Sequence, residues 1–245
     1  MSQVITRVDQ IEENFVAHAR VQSKREAIVM CPPDYFRVID VKNAHMEGQI
    51  GKVDKDLAVS QWKNVKRQVE EKGFQVFTVP ATEGLEDMVF TANPAFVGEN
   101  SEGERVALLS SMKHASRKKE VAAFDAWFTE KKYKTASLSK EDWVFEGNGD
   151  GIWQWDRSII WGGYGFRTEL EAYEEISNIF GAPVIAVQLT SPYFYHLDTC
   201  FCPLSEKVVL IYPGAFDEKG LALILSLIHI SEPTDRTRSR MPSSA

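Results

Sequence analysis

Cysteine is scarce in this sequence, long apolar runs are absent, and positive charge is not in excess. The only cysteines among the 245 residues are Cys31, Cys200 and Cys202. An odd, low count argues against a disulfide framework and favours a reducing, cytoplasmic compartment. No segment approaches the ~18 consecutive apolar residues of a membrane span. The first residues contain acids and no continuous apolar stretch, so we expect no signal peptide and no association with a membrane.

The charge balance bears on the kind of partner. With 35 acidic and 28 basic residues, the formal net charge is -7. No basic stripe with interleaved aromatic residues is present, so we expect no binding to nucleic acid. No G-x-G-x-x-G sequence leads from a strand into a helix, so a dinucleotide site is not indicated. A small cationic substrate suits an acidic protein of this kind.

A pattern of strand, strand, helix and strand recurs along the chain every roughly 50–60 residues. The units begin at EAIVMC, DMVFTANPAFVG, DGIWQWD and YHLDTCFCPL. In the first unit, FRVIDV reads as the second strand, and in the fourth unit a helix begins near Asp217. The period predicts an array of like α/β modules, with an ordinary α/β sandwich as the alternative.

The composition changes at Leu225, where Ser, Thr, Arg and Pro replace the alternating core pattern in the middle of the fourth helix. We interpret residues 225–245 as a foreign tail, of the kind made by translating adapter or vector sequence; a natural disordered terminus is the alternative. The predicted organisation is therefore an N-terminal helical segment over 1–24, a truncated domain over 25–224, and this tail.

The stretch YHLDTCFCPL combines one histidine, one aspartate and two cysteines. Read as a strand, it places His196, Asp198, Cys200 and Cys202 on one face. A rise of ~3.3 Å per residue puts His196 ~13 Å from Cys200. A base must approach its nucleophile within ~3 Å, so neither cysteine is predicted to be a nucleophile served by His196. The same spacing argues against a metal site, and buried structural thiols are the interpretation for both cysteines.

Three further segments place polar residues at the ends of predicted elements. FEGNGDG puts Glu146 and Asp150 in a glycine-rich loop, for which a plain hairpin turn is the alternative. GYGFRT puts Arg167 just before a helix, where it could hold a carboxylate or lie in solvent. LEDMVFTANPAF puts Asp87 at a strand start and Asn93 before a proline, where turn formation is the alternative.

In this order, the segments MCPPDYF, DMVFTAN, FEGNGD, GYGFRT and YHLDTCFCPL resemble the guanidine-modifying superfamily of amidinotransferases, arginine deiminases and dimethylarginine dimethylaminohydrolases. The resemblance covers roughly residues 25–224 and is strongest to the arginine dihydrolase branch. It implies the pentein fold, an α/β propeller of five ββαβ modules around a central site, with the closing module missing here. It also implies hydrolysis of a small guanidine substrate through a covalent cysteine intermediate, without a metal or an organic cofactor.

The resemblance assigns roles to individual residues. It implies that His196 is the general acid and base, and that Glu146 and Asp198 are carboxylates that grip the guanidinium group. It implies that Arg117 and Arg167 hold the substrate α-carboxylate. The other implied substrate-binding residues are Asn93, Asn43 and Asp87, the last with a strand-end cap as its alternative role.

Asn93 stands where the deiminases carry aspartate and the dihydrolase branch carries asparagine. Asn43 matches another asparagine of that branch, although its surroundings, VKNAHM, depart from the usual INPWM. The implied reaction is arginine to ornithine, carbon dioxide and ammonia; dimethylarginine hydrolysis and arginine binding without turnover are the alternatives. The family's nucleophile lies in a glycine-preceded cysteine motif of the closing module. Neither that motif nor a match at Cys31 is present, so we predict that this chain alone is inactive.

Overall fold

The computed structural model describes residues 3–23, 26–140, 142–206 and 208–227, which form four consecutive α/β units after a short N-terminal segment. The N-terminal segment contains β1 (Val4–Ile5) and α1 (Phe15–His18). The first unit contains β2 (Ala27–Met30), α2 (Lys55–Glu71) and β3 (Gln75–Thr78), and the second contains β4 (Ala95–Glu99), β5 (Arg105–Leu109), α3 (Ala115–Glu130) and β6 (Lys134–Ala136). The third unit contains β7 (Gly151–Trp153), β8 (Ile160–Tyr164), α4 (Ala172–Phe180) and β9 (Val184–Gln188). The fourth contains β10 (Phe201–Pro203), β11 (Val209–Ile211) and α5 (Glu218–Leu227).

The second and third units share one topology. In each, the first two strands pair antiparallel, and the helix then returns the chain to a third strand that pairs parallel with the second. The first unit has two parallel strands joined by α2, and the fourth has an antiparallel pair followed by α5. The strand β1 adds to the third unit by pairing parallel with β9. The order of strand, strand, helix and strand predicted from the sequence period is confirmed in the second and third units.

The helices lie where the spacing of apolar residues predicts them. The Asp54 side chain caps α2 by accepting a hydrogen bond from the backbone N–H of Leu57. The helix α4 ends at Gly181, whose φ of 59° belongs to the left-handed region that glycine enters without a steric cost. Among the described residues, no helix combines the length and the apolar character that a bilayer crossing requires.

Neighbouring units share apolar cores, which is what an array of modules requires. Between the second and third units, Phe96 of β4 stacks on Trp153 of β7 with ring centroids 5.1 Å apart, and both contact Phe180 of α4. A second core joins the third and fourth units and includes Trp161 and Phe201, and a third joins the first and second. These shared cores favour the modular array over a single two-layer sandwich.

The array is open between its first and fourth units. Among the described residues, no buried apolar core joins the first unit to the fourth, whereas every other pair of neighbouring units shares one. A groove of about 770 Å³ lies between them instead. Its walls include Ile28, Phe74, Trp153, Phe201 and Pro203. The architecture is an incomplete α/β propeller, in agreement with the predicted fold class.

Three predicted elements differ from the structure. FRVIDV is not a strand; residues 31–54 form an irregular segment with one short turn at Ala44–Met46. In YHLDTCFCPL, a 3₁₀ turn occupies Leu197–Thr199 and only Phe201–Pro203 forms a strand. In the second unit the strand begins at Ala95, well after Asp87.

The two ends of the chain also differ from the predicted organisation. The described residues of the segment 1–24, predicted to be helical, contain the strand β1, a 3₁₀ turn at Val8–Gln10 and the four-residue helix α1, because β1 pairs with β9 and the rest packs against the core shared by the third and fourth units. The helix α5 continues through Leu227, three residues into the predicted tail. The remainder of that tail lies outside the described residues.

Candidate active site

His196 lies at the centre of a buried cluster of charged side chains. Its Nε2 is 3.2 Å from Glu146 Oε2, and its Nδ1 is 3.2 Å from Asp150 Oδ2. The Nδ1 contact lacks the alignment of a hydrogen bond, so Asp150 acts on the ring through its charge. The side chains of His196, Glu146 and Asp150 are 6%, 0% and 1% exposed, so water screens these charges little.

The two carboxylates determine the protonation of the imidazole. Burial lowers the pKa of His196, but the charges of Asp150 and Glu146 outweigh burial and raise it to about 9. Burial raises the pKa of Glu146, but His196, Arg167 and the backbone N–H of Lys113 outweigh burial and lower it to about 2. At neutral pH the site therefore holds an imidazolium between two carboxylates, a group that can donate a proton.

Glycines bring the loop that carries Glu146 and Asp150 against its neighbours. Gly147 has a φ of 57°, and a Cβ there would lie 2.6–2.8 Å from three backbone carbonyl oxygens of residues 92–95. A Cβ at Gly149 would collide with the Asn93 amide and crowd the His196 ring. The loop is thus a 3₁₀ turn pressed onto the start of β4, where a plain hairpin turn was the alternative.

Asp150 is a site residue to which the sequence analysis assigned no role. Its carboxylate accepts hydrogen bonds from the Thr168 hydroxyl at 2.7 Å and from the Leu197 backbone N–H at 3.1 Å. The Tyr173 hydroxyl donates to the Asp150 carbonyl. These contacts fix Asp150 beside the imidazole. The only signal in the sequence was its place in FEGNGDG, which does not reveal the partners.

Asn93 and Arg117 form a second layer against the histidine. The Asn93 Nδ2 lies 3.1 Å from His196 Nε2, and the Asn93 Oδ1 accepts from Arg117 Nη1 at 2.9 Å. Arg117 also donates to Glu120 and to the carbonyls of Asp87 and Phe90. Glu120, also missed in the sequence, is buried, and burial raises its pKa to about 6.

Arg167 is likewise bonded to the protein. It donates to Glu146 Oε2 at 3.0 Å and to the backbone carbonyl of Lys42 at 2.7 Å. Its guanidinium carbon lies 4.8 Å from the centroid of the Tyr195 ring. The irregular segment 31–54 thereby crosses the site, and Asn43 donates to the Tyr195 hydroxyl at 2.9 Å.

A small cavity of about 50 Å³ separates this segment from the histidine. It is lined by Lys42, Asn43, Met46, Asp87, Phe90, Asn93, Arg117, Arg167, Tyr195 and His196. Six of the eight residues that the sequence implied for the site, His196 among them, therefore line one cavity, and Glu146 contacts that histidine from behind. Lys42 and Tyr195 were not predicted.

Asp198 does not face this cavity. The 3₁₀ turn at Leu197–Thr199 directs it to the groove, which it lines, so the predicted shared face of His196 and Asp198 is wrong. The carboxylate is open to solvent through the groove, but the groove walls partly enclose it. This enclosure raises the pKa of Asp198 to about 6; His196 opposes the shift and Asp150 adds to it.

The same turn corrects the predicted distance to Cys200. The Cys200 Sγ lies 3.8 Å from the backbone oxygen of His196, because the chain turns where a strand was expected. The thiol is buried and points to backbone carbonyls, and burial raises its pKa to about 12. Cys31 is also buried, with its pKa raised to about 12, whereas Cys202 is exposed in the groove. Among the described residues, no three acidic, histidine or cysteine side chains are grouped as metal ligands.

Known proteins and solved structures resemble this chain. The bifunctional arginine dihydrolase/ornithine cyclodeaminase ArgZ of Synechocystis is 42% identical over 78% of the chain. The N(G),N(G)-dimethylarginine dimethylaminohydrolase of Mycobacterium tuberculosis is 31% identical over 83% of it. The crystal structure of the N-terminal domain of cyanobacterial ArgZ bound to product superposes with a TM-score of 0.79 at 38% sequence identity. The match covers 84% of this chain and 73% of the ArgZ chain in that structure.

The chain spans 26% of the length of ArgZ and 66% of the length of the mycobacterial protein. Residues 33–232 match the family described as N,N dimethylarginine dimethylhydrolase, eukaryotic. This match includes every residue of the cavity and the groove residues Asp198 and Cys202. The chain therefore belongs to the N,N dimethylarginine dimethylhydrolase family.

Proposed function

We propose that this chain is the guanidine-binding and proton-donating part of a hydrolase that converts arginine to ornithine, carbon dioxide and ammonia. The observation that carries the proposal is the buried ring of His196, whose two nitrogens each lie 3.2 Å from a carboxylate oxygen, of Glu146 and of Asp150. Family membership and the likeness to arginine dihydrolases support it.

The chemistry follows from the charge of the substrate. A guanidinium is a delocalised cation and a poor electrophile, so carboxylates must hold it and a strong nucleophile must attack it. A cysteine thiolate adds to the central carbon, and the bond to the leaving nitrogen breaks as His196 donates its proton to that nitrogen. Water then adds to the same carbon, the C–S bond breaks, and the proton of that water returns to His196.

The second round acts on a neutral ureido group, which needs a donor rather than a further negative charge. The Asn93 amide can donate through Nδ2 while its oxygen accepts from Arg117. An aspartate could not donate at neutral pH. Thiolate addition to the ureido carbon, with a proton from His196, releases ammonia and leaves that carbon bound to the cysteine sulfur and to the ornithine nitrogen. Water then adds to the carbon, the C–S bond breaks, and the resulting carbamate loses carbon dioxide as its C–N bond breaks, which leaves ornithine.

The nucleophile is proposed to come from a further module that fills the groove between the first and fourth units. Two of the three cysteines are buried with raised pKa values, and the third lies in the groove away from the cavity. The groove has apolar walls and exposes Asp198 on the other side of the same turn as His196. A module seated there would approach His196 from this side. By itself, the chain is proposed to bind a guanidine and not to hydrolyse it.

Dimethylarginine is the second candidate substrate, with citrulline and dimethylamine as products. The matched family and the mycobacterial relative favour it. Asn93 favours arginine as the substrate. Hydrolysis of dimethylarginine stops at citrulline, so it never requires the site to bind a neutral ureido group, for which the Asn93 amide is suited.

Calorimetric titration of residues 1–245 with arginine and with asymmetric dimethylarginine tests the proposal. Ornithine, which lacks the guanidinium group, is the control ligand. We expect arginine to bind more tightly than dimethylarginine, ornithine to bind weakly, and ammonia release to be absent. Failure of both guanidines to bind would reject the function. Turnover that disappears after alkylation of the thiols would show that one of the three cysteines is the nucleophile.

A further inference from the structure

Lys42 is buried in the candidate substrate cavity, where its ammonium is bonded to the carboxylate of Asp87. The Nζ lies 3.0 Å from Asp87 Oδ2, and these side chains are 5% and 3% exposed. Asp40, exposed on the outer side, is the second partner of the same ammonium. Burial lowers the pKa of Lys42, but the hydrogen bonds and charges of Asp40 and Asp87 outweigh burial and raise it, so Lys42 is charged at neutral pH.

Asp87 has the only carboxylate among the described residues that line this cavity. Glu146 lies behind His196 and is already bonded to that histidine, to Arg167 and to a backbone N–H. An α-amino acid substrate brings a primary ammonium, the same chemical group that Lys42 carries. Inside a cavity an ammonium needs an acceptor, and a carboxylate is the strongest one available.

We propose that Lys42 competes with the α-ammonium of the substrate for Asp87, and so sets how strongly the site distinguishes an amino acid from a guanidino acid without that group. This inference rests on the proposed function. In this competition, the ammonium of arginine displaces Lys42 from Asp87 when arginine binds. A guanidino acid that lacks the ammonium leaves the Lys42–Asp87 pair intact.

The position of Lys42 on the irregular segment makes such a displacement possible. The segment is held to the site by Arg167 through the Lys42 carbonyl and by Asn43 through Tyr195. The cavity of about 50 Å³ lies between this segment and His196, so we expect a bound substrate to displace the segment. Any such movement carries the Lys42 ammonium with it and exposes Asp87.

The test compares arginine with 5-guanidinopentanoate, which is arginine without its α-ammonium, by calorimetric titration of the full chain. In the unchanged chain we expect dissociation constants for the two ligands that agree within about threefold. In Lys42→Met, arginine should bind roughly tenfold more tightly, the scale of one hydrogen bond to a charged group. The affinity for 5-guanidinopentanoate should change by less than about twofold.

The double variant Lys42→Met/Asp87→Asn is the control for a purely steric effect. If Lys42 competes for the carboxylate, the gain in arginine affinity is absent in the double variant. A gain that persists there would overturn the proposal, because removal of bulk would then explain it. Lys42→Gln, which keeps a donor for Asp87, replaces Lys42→Met if thermal denaturation shows that the methionine variant is unfolded, and the same direction is expected.

The outcomes separate this inference from the proposed function. If both ligands bind and arginine affinity does not rise on replacement of Lys42, the competition is wrong and guanidine recognition stands. A strong preference of the unchanged chain for arginine would also reject the competition. If neither ligand binds to any folded variant, the proposed function and the inference fail together.

Discussion

The two sides of the turn at His196 differ in how complete they are. On the cavity side, His196, Arg117 and Arg167 are bonded to partners that are themselves buried. On the groove side, Asp198 and Cys202 lie open beside apolar walls. The four units therefore preorganise substrate binding and proton donation within themselves. They leave open the side from which we propose that the nucleophile approaches.

The first prediction breaks the cavity side at its centre. Glu146 bonds two cations and a backbone N–H and is fully buried, so Glu146→Gln leaves His196 and Arg167 without their shared anion. We expect the free energy of unfolding to fall by about 3 kcal/mol or more at pH 7. Glu71→Gln, in an exposed pair with Arg67, should change it by less than about 0.5 kcal/mol. Urea denaturation measures both; equal effects would contradict the buried network.

The second prediction uses pH to titrate the same network. The pKa of His196 is raised from 6.5 to about 9 in the folded chain, so its contribution is complete below pH 6.5 and is lost as pH rises through about 9. We expect stability to fall by up to about 3 kcal/mol between pH 7 and 9.5. Glu120 and Asp198 have pKa values of about 6, so both are mostly ionised at pH 7 and contribute little to the change between pH 7 and 9.5. Urea denaturation across the pH range would contradict this if stability were constant or rose.

The third prediction compares the two aspartates that flank the turn. Asp150 is among the causes that raise the pKa of His196, so Asp150→Asn should lower it from about 9 toward 6.5. Asp198→Asn, on the groove side, should leave it within a few tenths. Titration of the His196 ring protons by NMR distinguishes the two. A larger change of the His196 pKa in Asp198→Asn than in Asp150→Asn would contradict the assignment of Asp150 as the dominant charge.

The fourth prediction is the smallest effect and concerns the groove side alone. Cys202 is exposed, whereas burial raises the pKa of Cys31 and Cys200 to about 12. Iodoacetamide at pH 8 should therefore modify Cys202 and spare the other two until urea is added, as peptide mass spectrometry would show. Arginine affinity should be unchanged, because Cys202 does not line the cavity. Rapid modification of Cys200 in the folded chain would contradict the burial of its thiol.

The sequence predicted what depends on local periodicity. The ββαβ order of the second and third units and the positions of α2 to α5 followed from apolar spacing and helix-end residues, and the structure has them. In the first unit, FRVIDV has the composition of a strand, yet Ile39 and Val41 are about half exposed there. Their segment is held by side-chain contacts to the site, and these contacts leave no mark in its own sequence.

The site itself shows the same limit. His196 and Glu146 could be named from motifs, but the turn after His196 forms because a distant carboxylate, Asp150, accepts the Leu197 backbone N–H. A pattern of alternating polar and apolar residues reads as a strand when that partner is unknown. Lys42 and Tyr195 escaped prediction for the same reason: their partners are far away in the sequence.

The pairing of β1 with β9 has a consequence for how the chain is made. Val4 pairs with Val184 and Ile5 with Ile185, so β1 waits for a partner that is synthesised about 180 residues later. At ~5–20 residues per second on the ribosome, that wait is on the order of ten seconds or more. A contact of such high sequence separation also slows folding. The edge of the third unit's sheet therefore closes late, because β1 leaves the ribosome well before the strand with which it pairs.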